Sequence, residues 1–264
     1  MHKLKDKKLF LLDMDGTIYF ENTLFPYALE FIDLLNNTKR EYVFLTNNSS
    51  KSCKVYLDKL NKLGIKASMD NLFTSSLATI YYLNNIKKGA TIYVVGTKAL
   101  KEEFKESGFN VVEDIHHDID FLVVGYDNEL NYQKLVDAVH LLKRDVPFIA
   151  TNPDLVYPAG KDLFYPDCGS FCHMLEVATG RKPFYLGKPR KEMIELILDK
   201  KGYRKEETIL IGDRLYTDIA CGINAGVTTA LVLSGETNEE DLVTSPFKPD
   251  YVFDSIKDIY DIIK

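Results

Sequence analysis

Two aspartates one residue apart, Asp13 and Asp15, follow directly on the apolar run Leu9–Leu12 and precede Gly16 and Thr17. A short apolar run that stops at turn residues predicts a strand buried in a parallel sheet. Ligands of open α/β sheets gather beyond the carboxyl ends of such strands. Extended side chains alternate, so both carboxylates point one way while Met14 enters the packing. Paired carboxylates repel each other and require a cation or a raised pKa. Mg²⁺ suits them, because it takes oxygen ligands and keeps several waters. Gly16 allows a sharp turn beneath a bound group. The competing reading is an ordinary turn, for which Asp and Gly are common residues.

Three further apolar runs end in polar residues. Tyr42–Leu45 leads into Thr46 and Asn47, Phe184–Leu186 into Gly187 and Lys188, and Thr208–Ile211 into Gly212 and Asp213. In one parallel sheet all four ends share an edge, so distant residues converge there. The assembled set is two carboxylates, a hydroxyl with neighbouring amides, an ammonium and a third carboxylate. Acids around Mg²⁺, with Lys and Thr reaching a bound dianion, describe a phosphoryl-transfer site. The set holds no His and no thiolate, so a carboxylate is the nucleophile on offer.

The elements that position these residues alternate. Pro26–Asn37 has helical spacing, Lys51–Leu63 reads as a helix closed by Gly64, and Leu72-Phe73 is a short strand before a helix over Leu77–Leu83. Strand and helix in turn predict an α/β fold with a doubly wound, Rossmann-like parallel sheet. Asn84–Gly89 reads as a polar linker, after which the pattern restarts: strands over Ala90–Val95, Phe121–Gly125 and Pro147–Ala150, helices over Thr97–Ser107 and Asn131–Arg144. Strand-to-polar transitions resume at Phe184 and continue through Thr229–Leu233 and Tyr251–Phe253, with a helix over Lys191–Lys201. The simplest organisation is one parallel-sheet domain from residues 1–82 and 183–264, with an α/β domain of residues 83–182 inserted.

The 264 residues are 45% hydrophobic and 27% charged, as in a soluble globular protein, and suffice for a sizeable core. A net charge of −6 argues against binding a nucleic acid polymer. The apolar run after the charged start MHKLKDKK is too short for a signal peptide, and none reaches membrane-span length. The expectation is a cytoplasmic protein that does not engage a membrane. Cys53, Cys168, Cys172 and Cys221 form no CxxC pair. Cys168 and Cys172 share a helix face near His173, but zinc sites want four ligands at tighter spacing, so buried thiols are expected.

DMDGT, LTNN, GKP and GDRLYTD, in that order, resemble the four motifs of haloacid dehalogenase (HAD) superfamily phosphatases. In the middle of the chain, ATNPD and YPDCGS resemble the NagD-like and 4-nitrophenyl phosphatase branch. The resemblance spans essentially the whole chain. It implies Asp13 as the nucleophile that becomes an aspartyl phosphate, and Asp15 as the acid for the leaving oxygen and then the base for water. Thr46 and the Asn47 amide would hold the phosphoryl oxygens, and Lys188 would neutralise nucleophile and phosphoryl group. Mg²⁺ would sit on the Asp13 carboxylate, the Asp15 backbone carbonyl and Asp213, with Asp218 in the outer shell.

Some thirty residues separate Asp15 from Thr46, and about 140 separate Thr46 from Lys188. In this superfamily that spacing implies a HAD core with an α/β cap between the second and third motifs. Tyr126, Asp127, Asn152, Asp154, Tyr157 and Pro158 are its specificity candidates, although Asn152-Pro153 and Tyr157-Pro158 read equally as turn chemistry. The expected activity is Mg²⁺-dependent hydrolysis of small phosphate monoesters, sugar phosphates or nucleoside monophosphates. A phosphotransferase or phosphomutase on the same core is the near alternative, and a phospho-acceptor module the distant one. A kinase or ATPase finds no support, since GATIYVVGTK (89–98) lacks P-loop spacing. The particular substrate and the oligomeric state, a homo-oligomer included, stay open.

Overall fold

Leu9, Phe10, Leu11 and Leu12 are fully buried in the strand Leu9–Asp13, and that accounts for their continuous apolar run: a central strand with both faces covered has no solvent side to alternate toward. A computed structural model describes residues 2–49, 52–160 and 163–264. Leu9–Asp13 lies inside a six-stranded sheet ordered Tyr251–Phe253, Thr228–Val232, Thr208–Gly212, Leu9–Asp13, Glu41–Thr46, Leu72–Thr74. It pairs in parallel with Thr208–Gly212 on one side and Glu41–Thr46 on the other. Ala28–Asn37 buries Ala28, Phe31, Ile32 and Leu35, and Phe31 meets Phe10 edge-on at 6.0 Å between ring centroids. Burying one such side chain contributes about 1.5–3 kcal/mol. Glu192–Lys201 carries acids in its first turn, lysines in its last, and Gly202 at φ 73° beyond it, so its charges complement the helix dipole.

The chain forms two compact units, one of Met1–Thr46, Cys53–Phe73 and Lys188–Lys264, the other of Asn47–Ser52 and Thr74–Gly187. The second holds a parallel five-stranded sheet ordered Phe184–Tyr185, Phe148–Ala150, Phe121–Val124, Thr91–Val95, Asn110–Val112. Helices Tyr132–Lys143 and Cys168–Thr179 contribute Ala138, Leu141, Leu142, Phe171 and Leu175 to its core. Val156–Gly160 and Leu163–Pro166 form an antiparallel hairpin that the apolar pattern had not suggested. Cys168 and Cys172 are buried with their Sγ atoms 3.9 Å apart, and all four cysteines are free.

Three expectations need correction. Phe184–Tyr185 pairs with Phe148–Ala150, so it is a strand of the second sheet and Lys188 does not extend a strand of the first. Asn84–Ile86 is the last turn of the helix Ser75–Ile86, not linker, and that helix lies in the second unit. The boundaries read at 82/83 and 182/183 thus fall inside this helix and just ahead of Phe184–Tyr185. At the first place the polar residues of the last helical turn read as linker; at the second the strand itself was legible, but a short apolar strand reads the same whichever sheet it joins. The helix expected from Lys51 is observed over Cys53–Lys62; Lys51 itself lies outside the described residues. Among the described residues no helix is long and apolar enough to cross a membrane.

Candidate active site

Strand register brings the acids together. Leu12 pairs with Ile211 and Asp13 with Leu45, so Asp13, Asp213 and Thr46 emerge at one edge of the first sheet. The turn after Gly212 continues as a π-helical segment, Leu215–Ile219, a geometry that tends to mark functional sites. That turn returns Asp218 to the same edge. Gly212 permits it, since a Cβ there would lie 2.4 Å from Asp218 Cγ.

Lys188 is 3% exposed and donates from Nζ to Asp13 Oδ1 at 2.5 Å and to Asp218 Oδ1 at 2.6 Å. A buried ammonium persists only where carboxylates repay its lost hydration, and two of them hold its pKa above the ordinary lysine value. Asp218 Oδ2 accepts from the Arg214 backbone N–H at 3.2 Å and from Thr217 Oγ1 at 3.4 Å, so both oxygens of Asp218 are engaged. Burial, then the neighbouring Asp218, pushes Asp13 well above the usual carboxylate range despite Lys188. Burial and Asp218 also push Asp213 up to about 6.

The Lys188 ammonium does not balance three carboxylates, and the nearby Arg214 guanidinium is already paired with Glu236. Ligand oxygens of Asp13, Asp213 and Asp218 lie within 4.8 Å of one another. Asp213 Oδ2 accepts from the Glu236 N–H at 2.8 Å, but Asp213 Oδ1 is buried without a hydrogen-bond partner. A buried orphan acceptor among acids is what a hard divalent cation would satisfy. Gly16, at φ 88°, borders it: a Cβ at that position would stand 2.3 Å from Asp213 Oδ2. These residues therefore fit Mg²⁺.

The structure brings Asp13, Lys188, Asp213 and Asp218 into one cluster and leaves the Asp15 side chain outside it. The Asp15 carboxylate is 60% exposed, 3.8 Å from Lys59 Nζ and 3.5 Å from Tyr19 Oη. Lys59 also sits 3.8 Å above the Tyr19 ring. Sequence reasoning missed Lys59, which carries no motif and reads as one of several solvated helix lysines. Thr46 ends its strand and is buried. The Asn47 side chain donates to Asp154 Oδ2 at 2.8 Å, and its carbonyl accepts from Ser75 Oγ at 2.6 Å.

In the second unit, Asp127 is buried, receiving Lys134 Nζ at 2.7 Å and the Glu129 N–H at 2.9 Å. Asn152 is fully buried, accepting from Thr151 Oγ1 at 2.8 Å and donating to Asp154 Oδ2 at 2.9 Å. Asp167, beside them, caps the helix Cys168–Thr179, and burial pushes its carboxyl up to about 7. Tyr126 and Tyr157 meet at 5.6 Å between centroids in an edge-on pair. Pro158 pairs with Phe164 in the hairpin; its side chain lies outside the described residues.

A parallel α/β sheet with acids and a buried lysine at one strand edge defines a phosphoryl-handling hydrolase, and comparison with known proteins agrees. A haloacid dehalogenase-like hydrolase model matches residues 10–110, and a HAD-hydrolase-like model matches residues 185–259. The chain belongs to the haloacid dehalogenase-like hydrolases and, within them, to the NagD-like phosphatases. It is 34% identical to an acid sugar phosphatase of Staphylococcus haemolyticus over 95% of this chain and 94% of that one. It is 35% identical to the ribonucleotide monophosphatase NagD of Escherichia coli strain K12 over 96% of this chain and 98% of that one. The solved structure of a 4-nitrophenylphosphatase from Thermotoga maritima matches with a TM-score of 0.94 and 38% identity, covering 100% of both chains.

Proposed function

We propose that this phosphatase hydrolyses small phosphate monoesters, sugar phosphates or nucleoside monophosphates, with Mg²⁺ and through an aspartyl phosphate on Asp13. The observation that carries this reading is the Asp13 carboxylate beside the buried Lys188 ammonium and the orphan Asp213 Oδ1. The named activities of the staphylococcal and E. coli relatives support the substrate classes.

In this reading an Asp13 oxygen attacks phosphorus, the bond to the leaving oxygen breaks, and Asp15 donates that oxygen its proton. Water then attacks the acyl phosphate while Asp15 takes up a proton, and inorganic phosphate leaves with Asp13 regenerated. Lys188 opposes the repulsion between an anionic nucleophile and an anionic ester. Thr46 and the Asn47 amide hold phosphoryl oxygens. Mg²⁺, held by Asp13, the Asp15 carbonyl and Asp213, would supply further positive charge against the phosphoryl oxygens. Asp218 would orient Lys188 from behind. The inserted domain would set selectivity through residues such as Tyr126 and Tyr157. The four free cysteines accord with action in the cytoplasm.

The test is phosphate release from a panel of sugar phosphates, nucleoside monophosphates and 4-nitrophenyl phosphate, with Mg²⁺ and with excess chelator. Turnover that needs Mg²⁺ and favours one class supports the reading. Full turnover in chelator would sink the metal site, and transfer to an added alcohol in place of water would sink hydrolysis.

A further inference from the structure

Asp213 Oδ2 is held by one backbone N–H, that of Glu236, on the segment Leu233–Thr237. That segment is wrapped tightly around the aspartate. The Thr237 N–H donates to the Asp213 carbonyl at 3.3 Å, and Ser234 Oγ donates to the Gly16 carbonyl at 2.7 Å. Gly235 lies so close that a Cβ would come within 2.0 Å of Asp213 Oδ2. Each oxygen of the Glu236 side chain has a partner. Tyr216 Oη donates to its Oε1 at 2.7 Å, and Arg214 Nε forms an ion pair with its Oε2 at 2.8 Å. Arg214 adjoins Asp213 in sequence and Tyr216 lies in the π-helical turn that carries Asp218, so the grip ties the segment back to the turn bearing two of the acids.

We infer that Glu236 is a positioning residue for the metal: clamped by Arg214 and Tyr216, it holds its own N–H on Asp213 Oδ2 and so leaves Oδ1 as the oxygen that a cation would take. This rests on the Mg²⁺ reading above and adds the means by which one ligand oxygen is kept bare while its twin is tied down. Partners one step behind a metal ligand commonly change affinity 10- to 100-fold when lost. A Glu in GET after a strand carries no motif, and Arg214 and Tyr216 fall inside GDRLYTD without being among its acids, so the clamp is invisible in the sequence.

The test is calorimetric titration of purified protein with MgCl₂ alone, alongside kcat measured across a Mg²⁺ series. Glu236→Ala should raise the Mg²⁺ Kd about tenfold or more, with kcat largely recovered at saturating Mg²⁺. Glu236→Gln, which keeps an acceptor for Tyr216 but loses the ion pair, should fall between. Tyr216→Phe removes one hydroxyl from a half-exposed ring, so it tests the clamp without endangering the fold; a Kd increase of a few-fold is expected. The inference is overturned if Glu236→Gln and Tyr216→Phe bind Mg²⁺ within twofold of wild type. It is also overturned if Glu236→Ala lowers the melting temperature and leaves Kd unchanged, the mark of a merely structural residue. Wild-type protein that binds no Mg²⁺ would overturn the metal reading itself, a result distinct from either.

Discussion

The two parallel sheets end in the same kinds of residue and do opposite things with them. At the edge of the first sheet Asp13, Asp213 and Asp218 crowd a single lysine, and Asp213 Oδ1 stays buried with no partner. After the strands of the second sheet Asp127 and Asn152 are as deeply buried, yet their polar atoms are claimed by Lys134, the Glu129 N–H, Thr151 and Asp154. Leaving a buried acceptor unpaired costs about 1–3 kcal/mol. At the first edge a bound cation would offset that cost, and the second has spent its polar groups on holding turns. Polarity at a strand end is therefore a weak mark of a site, and unsatisfied polarity at a strand end a strong one.

The sharpest way to break this contrast is to neutralise one residue on each side. Asp13→Asn should lower turnover of every substrate at least about a thousandfold, some 4 kcal/mol of barrier, because an amide forms no acyl phosphate. Steady-state kinetics with unchanged circular dichroism would show it; retention of a tenth of wild-type activity would remove Asp13 from the nucleophile's role. Asp127→Ala should act on stability. It leaves the Glu129 N–H unanswered and takes the carboxylate from Lys134, which keeps the Gly96 and Glu129 carbonyls, and a cost of about 1–3 kcal/mol is expected in denaturant unfolding, with kcat on 4-nitrophenyl phosphate changed little. A large loss of kcat without loss of stability would move Asp127 out of the satisfied group and into the site.

The smallest expected effect concerns the tyrosines. Tyr157→Ala should change the ranking of substrates by about 1–3 kcal/mol in kcat/KM, the scale of one lost leaving-group contact. A small ester such as 4-nitrophenyl phosphate should be hydrolysed nearly as before. Kinetics on at least four monophosphates decides it: a uniform loss across all of them would make Tyr157, like Asp127, a structural residue, one that holds the hairpin as Asp127 holds its turn.

Much of the first unit was legible because its strands and motif residues are contiguous in sequence. Leu9–Asp13, Glu41–Thr46 and Thr208–Gly212 announce themselves as unbroken apolar runs, each delivering its polar residues to one edge. The helices Ala28–Asn37 and Glu192–Lys201 are equally plain from spacing and the terminal glycine. The hairpin Val156–Gly160 and Leu163–Pro166 was not legible, since its described residues from Leu163 to Pro166 are all exposed and carry no apolar alternation.

What the sequence by itself determined is the inventory: parallel α/β strands, their carboxyl-end residues, and the motif order that places the chain among HAD-like phosphatases. Those are properties of runs a few residues long, where burial on both faces or on one fixes which side chains are tolerated. Tertiary structure alone decided which sheet Phe184–Tyr185 joins, that Lys188 is shared between Asp13 and Asp218, and that Asp127 is answered while Asp213 is not. Each is a question of partner, not of type. An aspartate, a lysine or a short apolar strand reads identically in sequence whether its partner is seven residues away, as for Asp127 and Lys134, or 175, as for Asp13 and Lys188. Only the folded chain, by excluding water from some of these groups and bringing charges to others, settles which of them keep bonding capacity to spare.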